Sequence, residues 1–241
     1  MLRQSVQNHL DHDPHFLWRG QSVTRLENLS DIVFALALGM LVSSASPPQT
    51  FFDLQRFLFS IIPVTAGFAL LLMIWNSHFV FFRRFGLADG KIVFLNSCLL
   101  FVVLYIAYPL RFAFDSFFGF VLMMAGDTTY VDAMRVGYSD SGVIMGYFSA
   151  GYAVFNALLC AMYAHALSKA AGLDLSETER VLTKRSTYIF GFASFVSIVI
   201  GFLAWLTPLN GFAGFFYGMI GIGAWVMSKF IKLPEAVPSP S

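Results

Sequence analysis

Apolar positions along this chain gather into six stretches separated by short polar breaks, at roughly 27–44, 57–82, 91–114, 143–168, 186–206 and 210–230. A helix needs about 20 residues to cross the hydrocarbon of a bilayer. The pattern therefore predicts an all-α, polytopic membrane protein with six transmembrane helices. Only the first stretch is short and opens on charge: Arg25-Leu26-Glu27-Asn28-Leu29-Ser30-Asp31 runs straight into the apolar segment 32–42. Ionisable groups at or inside a membrane helix are costly, so they mark a pathway or an interhelical lock. Pro63 in the second stretch and Pro109 in the third are expected to kink or end their helices, because proline lacks the amide hydrogen. Thr207-Pro208-Leu209-Asn210 reads as a tight turn between the last two.

Composition agrees with the pattern. Of 241 residues, 57% are hydrophobic and 12% charged, where a soluble domain carries about a quarter charged. A net charge of +1 gives no argument for a nucleic-acid partner. Lysine and arginine supply the orientation. Only Arg56, Arg111 and Arg135 of the 15 fall on one side of the six-span reading, and the positive-inside rule puts the other twelve, with both termini, in the cytoplasm. Nine acids on that same side largely offset them. Residues 1–24 read as a polar cytoplasmic segment without a cleavable signal, 25–231 as the six-helix domain, and 232–241 as a flexible tail. The connection 115–142 is expected to be a surface-lying amphipathic helix or a mobile loop. Gly214-xxx-Gly218 in the last stretch reads as a packing face. Cys98 and Cys160 read as small buried hydrophobes without a disulfide framework.

On a helical wheel, Ile32, Leu36, Gly39 and Ser43 recur at i, i+4, i+7 and i+11, one stripe within about 60°. On an arbitrary membrane helix such a stripe faces lipid or core. Here bulky side chains occupy one half, and Gly39, Ser43 and Ser44 the other, as a hydrophobic constriction opening into a wetter vestibule would. Asp31 lies about 100° off the stripe, toward a neighbouring helix. Arg25 cannot give up its charge, and Asp31, Ser30, Asn96, Trp75 and His78 are its available partners. Together these six are expected to form an interhelical lock, with Arg25 turned aside from the path and neutralised.

Arg25-xxx-Leu29-Ser30-Asp31 resembles the Arg-xxx-Phe-Ser-Asp signature of the transmembrane protein 175 family. The small-and-aliphatic run through Leu41-Val42, Trp75-Asn76-Ser77-His78-Phe79, and Leu95-Asn96 with Pro109 extend the resemblance over about residues 25–112. The resemblance implies a potassium-permeable channel of the bacterial inner membrane, a homotetramer of single-signature chains whose first helices line the pore. It implies no cofactor and no resident metal, only permeant potassium ions. Leu29 replaces the family's phenylalanine. Gly39 stands where many members place threonine, which implies weaker discrimination of potassium from other cations. No Thr-Val-Gly-Tyr-Gly loop is present, so selection is expected from pore width, wetting and the field at the mouths, and the Ile32–Leu36 ring is expected to gate by dewetting.

The remaining candidates carry less. His9, His12 and His15 recur every three residues, a spacing that could bind a metal but reads here as a solvated tail. His165 reads as an interfacial residue. His78 reads as a fixed hydrogen-bond partner or as a group titrating near neutral pH. No nucleophile–base pair, His-Glu-xx-His or phosphate loop argues for an enzyme. The alternative is a proton-coupled secondary transporter with Asp31 and His78 as relay. Such carriers usually repeat interrupted helices in two halves, and nothing after residue 140 copies the signature.

Overall fold

The computed structural model describes residues 15–20, 22–43, 48–134, 137–207 and 212–231, and every regular element among them is helical. In chain order these are α1 (Arg25–Ser43), α2 (Phe51–Phe59), α3 (Ile61–Phe85), α4 (Gly90–Met124), α5 (Thr129–Met134), α6 (Tyr138–Ser168) and α7 (Glu177–Leu206). A 3₁₀ segment (Ala213–Tyr217) then leads into α8 (Gly218–Phe230). Five helices, α1, α3, α4, α6 and α7, are long and apolar enough to cross a membrane. The protein is an all-α, multi-pass membrane protein. Residues 1–14, 21 and Ser44, most of the expected turn at 207–210 and the expected tail at 232–241 lie outside the described residues.

The starts of these helices follow from local chemistry. At α1 the Thr24 amide donates to Glu27 Oε1 (2.9 Å), while the Glu27 amide donates back to Thr24 Oγ1 (3.3 Å). This reciprocal capping box satisfies two amides that no helical carbonyl can reach. Ser176 and Glu179 repeat it at α7, which therefore begins nine residues before the expected start at 186. Asp89 caps α4 through the Ile92 amide (3.0 Å). Gly86 ends α3 in the left-handed region (φ 58°), where a side chain would be strained.

Several expected boundaries move. The second stretch is divided at Ser60 into α2 and α3, and Pro63 is the third residue of α3, in the first turn, where its missing donor costs nothing. Pro109 does not end its helix; α4 continues through it to Met124. Prolines are tolerated in membrane helices when the surroundings satisfy the freed carbonyl. The connection expected over 115–142 is largely helical, formed by the end of α4, by α5 and by the start of α6. The sixth stretch appears as the 3₁₀ segment and α8, whose 13 residues alone reach about 20 Å, short of the ~30 Å hydrocarbon core.

Helix α1 lies against α3 and α4, α6 and α7 form an antiparallel pair, and α4 also packs on α6. At the end of the bundle where α1 begins, Phe16, Phe81, Phe85 and Tyr163 meet ring to ring at 5.1–5.6 Å. A smaller apolar cluster, Val196, Ile200, Ala204 and Ala213, joins α7 to the 3₁₀ segment. Gly214 sits so close to the Phe117 ring that an added Cβ would lie 2.7 Å from it, whereas Gly218 faces open space, so only one member of that pair packs within the chain. The two cysteines are half-buried rather than fully buried, and both are free.

Candidate functional site

Two faces of α1 differ sharply. Glu27, Ser30, Phe34, Ala37 and Leu41 are buried against the bundle. Ile32 (66% exposed) and Leu36 (54%) emerge from it, and Arg25, Leu29, Asp31, Gly39 and Ser43 are exposed as well. The stripe Ile32, Leu36, Gly39, Ser43 thus lies wholly on the outward side of the helix. No atom comes within 4 Å of a Cβ added at Gly39.

The buried face is fastened by polar ties at its beginning. Arg83 of α3 pairs with Glu27 (3.1 Å), and both side chains are nearly buried. The Arg83 guanidinium also lies over the Phe79 ring at 5.2 Å. One turn on, His78 Nε2 donates to Asn96 Oδ1 (2.7 Å), Asn96 Nδ2 donates to Ser30 Oγ (3.0 Å), and Ser30 Oγ donates to the Leu26 carbonyl (2.8 Å). All three side chains are at most 2% exposed. Each polar atom in this chain of donors ends on an acceptor, which is what a buried network needs to be stabilising. Trp75 Nε1 donates to Asp31 Oδ1 (2.8 Å), so Asp31 does point at the neighbouring helix.

Five of the six expected lock residues are therefore joined, in two groups: Ser30, Asn96 and His78, and Asp31 with Trp75. Arg25 is not among them. It is exposed and has no ion pair or hydrogen bond within the described residues, and the arginine that pairs with the buried carboxylate of the site is Arg83 instead. Arg25 and Asp31 are six residues apart, which on a helix sets them about 120° from each other.

The far end of α1 is held differently. Leu41 packs against Gly67 and through it near Phe114, and an added Cβ at Gly67 would meet Leu41 at 3.2 Å. Arg111 Nη1 donates to the Val42 carbonyl (3.2 Å), and Arg111 Nη2 to Ser60 Oγ (2.9 Å). Counting Arg111 only as a charge on the outer side missed this. Its signal was the i,i+4 spacing to Asp115, with which it pairs at 3.6 Å on one face of α4. For Glu27 the signal was the Thr-xx-Glu capping pattern.

Ahead of α1, residues 15–20 form a strap across the bundle rather than a solvated leader. Phe16 is 2% exposed. The Leu17 amide and the Arg19 guanidinium both donate to Glu179 at 2.8 Å, and Arg19 Nε donates to the Leu173 carbonyl (2.7 Å). Gly20 exchanges backbone and side-chain bonds with Arg83 (3.1 and 2.6 Å), at an approach to Phe82 too close for a side chain. His165 pairs with Asp89 at 2.7 Å, and that bond, with the Ile92 amide, holds the Asp89 carboxyl below its usual range. Of the three leader histidines, His9 and His12 lie outside the described residues, among which no group of three metal-ligating side chains occurs.

Residues 25–106 match the family described as endosomal/lysosomal potassium channel TMEM175. A potassium channel of Marivirga tractuosa is 35% identical over 185 residues, 72% of this chain and 71% of that protein. The crystal structure of a variant of the potassium channel MtTMEM175, in complex with a nanobody–MBP fusion protein, superimposes with a TM-score of 0.74. It is 29% identical, and the match covers 91% of this chain and 97% of that one.

Proposed function

The chain belongs to the TMEM175 family of potassium channels, and on that footing we propose that it is a potassium-permeable cation channel assembled from four copies. The α1 helices line the path, Ile32 and Leu36 form its apolar constriction, and Gly39 and Ser43 line a wider portion beyond. The observation that carries this reading is the outward stripe on a helix whose opposite face is fastened by buried polar ties. Arg25 and Asp31 emerge on the exposed side too. Charges facing hydrocarbon are expensive, so this side borders water or another copy of the chain rather than lipid. A ring of Ile32 and Leu36 narrow enough to shed water closes the path, and a small widening wets and opens it.

The reading includes a sixth crossing. The 3₁₀ segment and α8 together reach about 30 Å at ~2.0 and 1.5 Å per residue, the thickness of the hydrocarbon core. Six crossings put both termini on one side, the cytoplasmic side by the distribution of lysine and arginine, in a bacterial inner membrane. Permeant potassium ions are the only small ligands the reading requires. The family is one of channels, not enzymes. A proton relay through Asp31 and His78 finds no support, because Trp75 holds one and Asn96 the other.

Reconstitution in liposomes tests the proposal. Purified protein should discharge a potassium gradient passively, with no counter-substrate, and chemical cross-linking should cap at four chains. Absence of flux, or flux that requires a second solute, overturns the channel reading.

A further inference from the structure

Building on the channel reading, we propose that Arg111 is a positioning residue for permeation: it fixes the end of α1 that carries Gly39 and Ser43, and thereby the width of the path there. Arg111 lies inside α4 and is 8% exposed. An arginine stays charged, so one buried in a membrane helix marks a functional demand. Its donors reach three elements: the Val42 carbonyl on α1, the Ser60 hydroxyl at the break between α2 and α3, and Asp115 on α4 itself.

The choice of Val42 is informative. Its carbonyl is among the last four of α1, which have no acceptor-satisfying partner within the helix, and the negative end of the helix dipole favours a cation there. Ser60 is itself oriented, since its hydroxyl donates to the Phe57 carbonyl (2.7 Å). Asp115 offsets the added charge, so the guanidinium acts as a pin more than as a field source. The packing of Leu41 on Gly67 sets how closely α1 approaches α3, but apolar contact is non-directional. The bond to a carbonyl supplies direction.

A small movement matters at this end. From Ser30 to Ser43, α1 spans about 20 Å, so a tilt of ~5° about its polar ties moves Ser43 by about 1.7 Å. Between opposed copies that is roughly 3.5 Å of diameter, more than the width of a water molecule of ~1.4 Å radius.

The test uses the full chain reconstituted in bilayers, with R111Q, R111K and S60A compared for potassium-to-sodium reversal potential, unitary conductance and oligomer size. R111Q should keep its oligomer and lose about threefold or more in permeability ratio, because path width sets selection here. R111K should fall between, since one ammonium cannot reproduce the fork that holds two acceptors. S60A, which keeps the bond to Val42, should shift the ratio in the same direction by less. Where R111Q does not assemble, S60A decides: a shifted ratio supports the pin and an unchanged one overturns it. A conducting wild type whose assembled R111Q keeps its ratio and conductance overturns the assignment of Arg111 alone. A wild type that passes no potassium overturns the channel reading and, with it, any part for Arg111 in permeation.

Discussion

The two faces of α1 share nineteen residues and almost nothing else. On one, the buried polar side chains have named partners, Glu27 with Arg83 and Ser30 with Asn96. On the other, two large aliphatic side chains stand more than half exposed beside a glycine and a serine. The contrast separates stability from transport. Changes to the inward face should be read in whether the protein folds, and changes to the outward face in what it passes.

The largest effect is expected at Arg83. Arg83→Ala leaves the Glu27 carboxylate buried without its cation, a loss of about 3–5 kcal/mol. Thermal unfolding in detergent should show a large drop in midpoint or no folded protein at all. If R83A melts like the wild type, the inward face is not a lock. Next comes Asn96→Leu, which leaves the His78 ring without its acceptor at about 1–3 kcal/mol, while Ser30 Oγ keeps its bond to the Leu26 carbonyl. Denaturation by the same assay should place it between R83A and the wild type.

On the outward face, Leu36→Asn should leave stability within about 0.5 kcal/mol, as for exposed positions away from special features. It should nevertheless raise current and reduce discrimination among cations, measured in the same bilayer. An unchanged conductance and ion preference would remove Leu36 from the constriction. The smallest effect is expected at Gly39→Thr. Open space around the added Cβ lets threonine fit the single chain without strain, so the melting midpoint should hold. The potassium-to-sodium ratio should rise modestly as hydroxyls return to the path. A reversal potential that does not move would mean that Gly39 faces elsewhere.

How much of this was legible in the residues depends on the range of the interaction. The outward stripe follows from a 3.6-residue period and needs no partner, so it could be read directly. Ser30, Asp31, Trp75, His78 and Asn96 were visible as polar groups too costly to stand alone in apolar helices, although which bonds with which depends on helix rotation. Arg25 was mispaired because its charge was assumed to need a buried acceptor, whereas it stands exposed about 120° around the helix from Asp31. Arg83 and Arg111 were hidden by being counted as charge near membrane boundaries, when each in fact reaches α1 from another helix. The 3₁₀ segment lies where Gly214 and Gly218 weaken the helical preference, which a hydropathy profile does not register.

The strap has a consequence in time rather than in space. Arg19 and Glu179 are separated by 160 residues. A ribosome adding ~5–20 residues per second takes roughly 8–30 s to make the second after the first. Throughout that interval α1 is held at its start by its own capping box and, once α3 exists, by Arg83. The bonds of Leu17 and Arg19 to Glu179 therefore form only after α7 has begun to emerge, whereas Gly20 can already bond Arg83. A chain truncated before Glu179 would carry the complete signature and the first four long spans, yet leave the Leu17 amide and Arg19 without their carboxylate.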